Sequence, residues 1–102
     1  MPRLPVRNVS LSELQQLFNR MQLWRQINDG SLTSDVVASV PANNPRYAGG
    51  TSQMLLHRNA DGRHVCTTHR IIASDGKVLH WDESDVKLAT ETVVKDHAAP
   101  HP

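Results

Sequence analysis

Two Asp-Gly pairs, Asp61-Gly62 and Asp75-Gly76, constrain this chain more than any other feature of its sequence. A tight hairpin turn needs positive φ, which Gly adopts at little steric cost, so Asp-Gly between apolar runs marks a reversal of the chain. The runs are "TSQMLLHR" before the first pair, "RHVCTTHRIIA" between the two and "VLHWD" after the second, with "VKLATETVV" beyond a further "ESD". An antiparallel meander of four strands is expected after residue 50, or five if residues 35–40 join it. That earlier stretch leans to a strand on its β-branched Val36, Val37 and Val40, although Ser34 also suits the cap of a short helix.

Ahead of the meander the period changes. Ser10 and Glu13 have the spacing of a capping box, with Val9 placed to staple onto Leu14. Leu11, Leu14, Leu17, Phe18, Met21, Trp24 and Ile27 then recur at three- and four-residue steps, which is one face of a helix. Asp29-Gly30 ends it at about Asn28. Leu23 falls off this stripe and Trp24 lies at its edge, which leaves room for a second contact there. "PANNPRYAGG" (41–50) reads as a loop, long enough to belong near a ligand or partner surface.

These signals define an α+β domain, one N-terminal amphipathic helix packed on an antiparallel meander of four to five strands. Residues 1–9 are expected as an extended arm, 10–95 as the single domain and 96–102 as a disordered tail. One helix cannot cover both faces of such a sheet, and the aromatic share is only 4%. A second copy of the chain is one way to enlarge the core, so a homodimer is expected. With a formal net charge of +1 and no run of cations, a nucleic-acid partner is not expected. The minority reading would use Arg58, Arg63, Arg70 and Trp81. A single cysteine, no apolar leader and no run long enough for a bilayer point to a cytoplasmic protein without a membrane partner.

Hairpin pairing says which side chains meet. A two-residue turn at Asp75-Gly76 sets Ser74 opposite Lys77, Ile72 opposite Leu79, Ile71 opposite His80, Arg70 opposite Trp81 and His69 opposite Asp82. Alternation then puts Val65, Thr67, His69, Ile71, Val78, His80 and Asp82 on one face, with Met54, Leu56 and Arg58. His64, Cys66, Thr68, Arg70, Ile72, Leu79, Trp81 and Glu83 take the other, with Gln53, Leu55 and His57.

The first face offers His69, His80 and Asp82 as a catalytic set, because a carboxylate orients an imidazole and a second imidazole completes an acid–base pair. The plainer reading, a surface ion pair, is preferred. The same trio has the ligand types of a two-histidine, one-carboxylate metal site, but a flat sheet rarely converges three ligands, and no metal or cofactor is expected. On the other face His57, His64 and Cys66 offer a metal or thiolate site, against the preferred reading of an inert buried cysteine. Arg70 opposite Trp81 is placed for a cation–π contact, which stabilises a sheet or receives a partner. Tyr47, in "YAGGTS", joins the binding candidates, although that segment lacks the ending of a phosphate loop. The leading expectation is a non-enzymatic, homodimeric binding or assembly module for a small molecule or protein. The alternative is a small hydrolase or nuclease built on His69, His80 and Asp82.

Overall fold

The computed structural model describes residues 4–96. The expected α+β architecture is present, with more elements than the sequence suggests. In chain order they are β1 (Val6–Val9), α1 (Leu11–Arg20), α2 (Leu23–Asn28), β2 (Thr33–Pro41), a 3-10 turn (Pro45–Tyr47), β3 (Thr51–Arg58), β4 (His64–Ile72), β5 (Val78–Lys87) and β6 (Thr92–Lys95). The sheet has six strands, not four or five, in the order β1-β6-β5-β4-β3-β2. All neighbours are antiparallel except β1 and β6, which run parallel from Val6↔Thr92 to Val9↔Lys95. Part of the expected N-terminal arm is therefore an edge strand. The expected tail falls mostly on residues 97–102, outside the described residues. No helix among the described residues is long and apolar enough to cross a membrane.

The single expected helix is two. Ser10 caps α1 as its sequence predicts, accepting from the Glu13 N–H at 3.2 Å. Gln22 then adopts a left-handed conformation, φ 54° and ψ 39°, and α2 starts afresh. The break explains the residue that did not fit the stripe. It rotates the following turn so that Leu23 and Ile27, four apart, both face inward and are buried. Gly30 at φ 84° closes α2, and the Leu32 N–H returns to the Gln26 carbonyl at 3.0 Å.

Both hairpins close with a three-residue loop followed by a bulge, where a two-residue turn is expected at Asp75-Gly76. The Ala73 N–H bonds the Lys77 carbonyl (2.8 Å) and the Gly76 N–H bonds the Ala73 carbonyl (2.9 Å), so the loop is three residues, 74–76, with Gly76 at φ 90°. Ala73 rather than Ser74 closes the turn, and Ile72 pairs Val78 rather than Leu79. A bulge between Ile71 and Ile72 then absorbs Leu79, and from Ile71↔His80 onward the register is the expected one. Likewise Asn59 closes residues 60–62, and a bulge between His57 and Arg58 absorbs Val65. That bulge changes two side chains. Val65 packs on the hydrophobic core instead of facing away from it, and the His64 ring reaches Thr67 Oγ1 at 2.8 Å.

The helices cover the face that carries Cys66. Leu14, Phe18, Leu23, Ile27 and Leu32 close over Cys66, Val86 and Val93, with Val9 at the margin and Trp24 and Trp81 packed against them. Full burial of a side chain such as Phe18 or Leu14 contributes roughly 1.5–3 kcal/mol. The opposite face, with His69, His80 and Asp82, carries no helix. The 41–50 segment folds toward that open side, pinned by Gly50. A Cβ on Gly50 would lie 2.9 Å from the Tyr47 carbonyl oxygen and 3.0 Å from that of Ile72, so only glycine lets the loop seat so closely.

Candidate functional site

The two faces hold their polar groups differently. Under the helices His57 is fully buried, with Nε2 2.7 Å from Thr68 Oγ1 and Nδ1 2.9 Å from Ser34 Oγ. Thr68 Oγ1 also accepts the Trp81 indole N–H at 2.9 Å, so the hydroxyl links the indole to the imidazole. Burial first, and the nearby His64 second, lower the His57 pKa to about 4, so the ring is neutral at ordinary pH. Glu83, also buried, accepts the Trp24 indole N–H at 2.9 Å. Cys66 is fully buried and burial pushes its thiol up to about 12, with Asp85 adding to the shift. A thiolate there is strongly disfavoured.

His57 and Cys66 pair across β3 and β4, but the bulge beside them carries the His64 ring away to Thr67 and the Cys66 carbonyl (3.0 Å), so the three do not form one ligand set. Arg70 lies over Trp81, 5.5 Å from the ring centroid, and bonds Gln53 Oε1 at 2.8 Å. Trp81 meets Trp24 edge to face at 5.4 Å. These contacts make it part of the packing beneath the helices. Arg58 is engaged with the Gly62 carbonyl (3.2 Å) and Asp35 (3.9 Å) at the far hairpin end.

The open face gathers the rest. His69 stands on β4, and His80 and Asp82 two residues apart on β5, with the expected His69↔Asp82 pairing. His69 Nδ1 lies 3.4 Å from Asp82 Oδ1, and His80 Nε2 lies 3.2 Å from Asp82 Oδ2. Lys95 Nζ approaches the same Oδ2 at 3.3 Å. The outer nitrogen of His69, Nε2, is 2.6 Å from Ser52 Oγ on β3. One donor atom from each of His69, His80 and Asp82 lies within 4.8 Å of the other two. The pleat of two strands thus brings the three closer than a flat sheet is expected to.

These groups line a concavity of about 600 Å³, with Tyr47 and Asn44 of the 41–50 segment on its rim and Met54, Ile71 and Val94 as apolar wall. The Tyr47 ring lies 6.4 Å from that of His80. Two carboxylate oxygens of residues in this wall, Asp82 Oδ1 and Asp85 Oδ1, are buried and have no hydrogen-bond partner among the described residues. The 3.4 Å contact from His69 does not satisfy Asp82 Oδ1, because it lacks the geometry of a hydrogen bond.

Sequence reasoning placed His69, His80 and Asp82 on this face, named Tyr47 as a binding candidate without placing it, and missed Ser52, Lys95 and Asp85. Ser52 carries a legible signal, since it sits two residues before Met54 and so shares its face. Lys95 lies just past the expected last strand "VKLATETVV", which the structure divides between β5 and β6, so nothing in the run itself places its ammonium beside Asp82. Asp85 depends on a bulge between Thr67 and Thr68 that makes Ser84 the extra residue, so both Ser84 and Asp85 line the concavity. No family model, no curated protein and no solved structure matches this chain.

Proposed function

We propose that the protein is a non-enzymatic binding module that receives a small molecule with a cationic or donor-rich head over the open face of its sheet. The observation that supports this reading is the pair Asp82 and Asp85 in the wall of the concavity, each with a carboxylate oxygen that no donor among the described residues satisfies. A buried acceptor without a donor costs about 1–3 kcal/mol, and a ligand ammonium or amide N–H removes that cost. The volume, about 600 Å³, is within the usual range of small-molecule sites, and Met54, Ile71 and Val94 suit an apolar body. Benzylamine is the simplest probe with both parts, and benzoate is its charge-reversed control. Saturable amide shifts at Tyr47, His80, Asp82 and Asp85 with benzylamine, and not with benzoate, are the expected result. Equal response to both, or to neither, refutes the reading.

A second copy of the chain is the proposed partner, joined along β2. That strand is an edge of the sheet, exposed at all nine of its positions, with Val36, Val37 and Val40 among its exposed side chains. Sedimentation at micromolar concentration should show a dimer that Val37→Lys dissociates, and a monomer throughout would end this part of the proposal. A reducing cytoplasm suits the single buried thiol.

A hydrolytic role is the second reading, favoured by the order hydroxyl, imidazole, carboxylate along Ser52, His69 and Asp82. Here Ser52 Oγ is the nucleophile, His69 the base and His80 a second acid–base group. It predicts cleavage of p-nitrophenyl acetate with a bell-shaped pH profile, lost in both Ser52→Ala and His69→Ala. A rate no higher than that of an equal concentration of free imidazole removes this reading.

A further inference from the structure

We infer that His69, His80 and Asp82 form a binding site for one divalent first-row transition cation, such as Zn²⁺, with its remaining coordination positions open to the concavity. The inference rests on the proposed binding role of the same face and gives the cationic head an elemental form.

The distances carry it. Ligands bound at about 2.0–2.1 Å around a tetrahedral ion are about 3.3 Å from one another. His69 Nδ1 to Asp82 Oδ1 is 3.4 Å and His80 Nε2 to Asp82 Oδ2 is 3.2 Å, so each imidazole already stands at ligand spacing from one of the two carboxylate oxygens. One ligand atom from each of the three residues lies within 4.8 Å of the others, so no separation must close by more than about 1.5 Å. That is within the swing of the His80 side chain, which is 43% exposed.

Hydrogen bonding points the same way. A histidine that holds a metal donates its other ring N–H to a fixed acceptor, and His69 has one in Ser52 Oγ at 2.6 Å. With that proton on Nε2, Nδ1 is an acceptor 3.4 Å from Asp82 Oδ1, a buried oxygen that no donor among the described residues satisfies, and a cation bound between them serves both. Two imidazoles and one carboxylate are ligands that suit zinc and its neighbours rather than Mg²⁺ or Ca²⁺, which take oxygen. Lys95 opposes the site, since its ammonium sits 3.3 Å from Asp82 Oδ2 and competes for the carboxylate.

Calorimetric titration with Zn²⁺, and visible absorption with Co²⁺, test this in a chain whose other tail ligands, His97 and His101, are replaced by Asn. One Zn²⁺ per chain is expected. Its binding should be lost in His69→Ala and in His80→Ala and weakened about 10–100-fold in Ser52→Ala, because Ser52 orients a ligand without being one. Lys95→Met should tighten it. No stoichiometric binding, or binding indifferent to both histidine changes, overturns the site. Benzylamine separates the two proposals. Its shifts without Zn²⁺ binding sink the metal and leave the organic ligand, whereas Zn²⁺ binding without them does the reverse. Displacement of benzylamine by Zn²⁺ supports both.

Discussion

Acid should weaken this fold through one histidine, and the amount follows from where His57 sits. Its ring is fully buried, with Nε2 2.7 Å from Thr68 Oγ1 and Nδ1 2.9 Å from Ser34 Oγ. A second ring proton would leave a charge where no water reaches. In the folded protein the pKa is lowered to about 4, against 6.5 for the unperturbed group. The unfolded chain therefore takes up a proton as pH falls through 6.5, and the folded chain does not until about 4. Protons in that window favour unfolding, so the His57 contribution is complete above pH 6.5 and falls as pH drops. At pH 5 the loss is about 2 kcal/mol, and below pH 4 it levels off at about 3 kcal/mol. A domain of this size has about 5–15 kcal/mol in total, so the effect is large. Urea midpoints at pH 7, 6, 5 and 4.5 should be compared with those of His57→Gln. The variant starts less stable because the buried bonds are disturbed, but its profile should be flatter by about 2 kcal/mol between pH 7 and 5. His64 is also lowered by burial and gives both chains a slope of the same sign, so the difference between them reports chiefly on His57. Identical slopes in parent and variant, or an imidazole NMR titration of folded His57 near 6.5, refute the argument.

Other perturbations follow from the same structure. Gln22→Gly should stabilise the fold by about 0.5–1 kcal/mol in urea melts, because the left-handed junction between α1 and α2 strains any residue with a Cβ; a loss of stability contradicts this. Gly50→Ala should destabilise by about 1–3 kcal/mol and shift the Tyr47 and His80 ring resonances, since its new methyl strikes two carbonyl oxygens; silent spectra would show that the loop is not seated as described. Iodoacetamide should label Cys66 about a thousandfold more slowly in the native protein than in urea at pH 8, the ratio set by a thiol at about 12 rather than 9.0, and fast native labelling refutes its burial. Asp85→Leu should raise stability by about 1 kcal/mol while abolishing the benzylamine shifts; a less stable variant would mean that the carboxylate serves the fold instead.

How much of this was legible in the sequence depends on the range of the interaction. The Asp-Gly pairs and the Ser10 cap are local chemistry, and they locate the hairpins and α1 correctly. Turn length is less local. The 74–76 loop is one residue longer than a two-residue turn, and the bulge at Leu79 removes the same one residue, so the His69–Asp82 pairing survives an error in each part. Nothing near Leu79 announces that bulge, which is decided by which side chains the sheet must face inward. The break at Gln22 is tertiary as well. No Gly or Pro marks it, and it exists because Leu23 and Ile27 are buried only after the rotation it supplies. The parallel pairing of β1 with β6 joins residues more than eighty positions apart, which no window of sequence reveals, and it leaves Lys95 beside Asp82.

The contrast between the two faces is what gives the open one its chemical meaning. On the face that the helices cover, Trp81, Thr68, His57 and Ser34 form one hydrogen-bonded chain that ends at the exposed edge strand, and Glu83 is held by Trp24. A chain that can satisfy buried histidine, threonine and glutamate so fully is not short of ways to satisfy an aspartate. Yet across the same strands, with Thr68 and His69 adjacent on β4, two aspartate oxygens are buried without a donor. Selection for stability alone favours removing such groups, because an apolar residue of similar shape is neutral or better. Their place beside two imidazoles and a concavity is what supports the proposed binding role of this face.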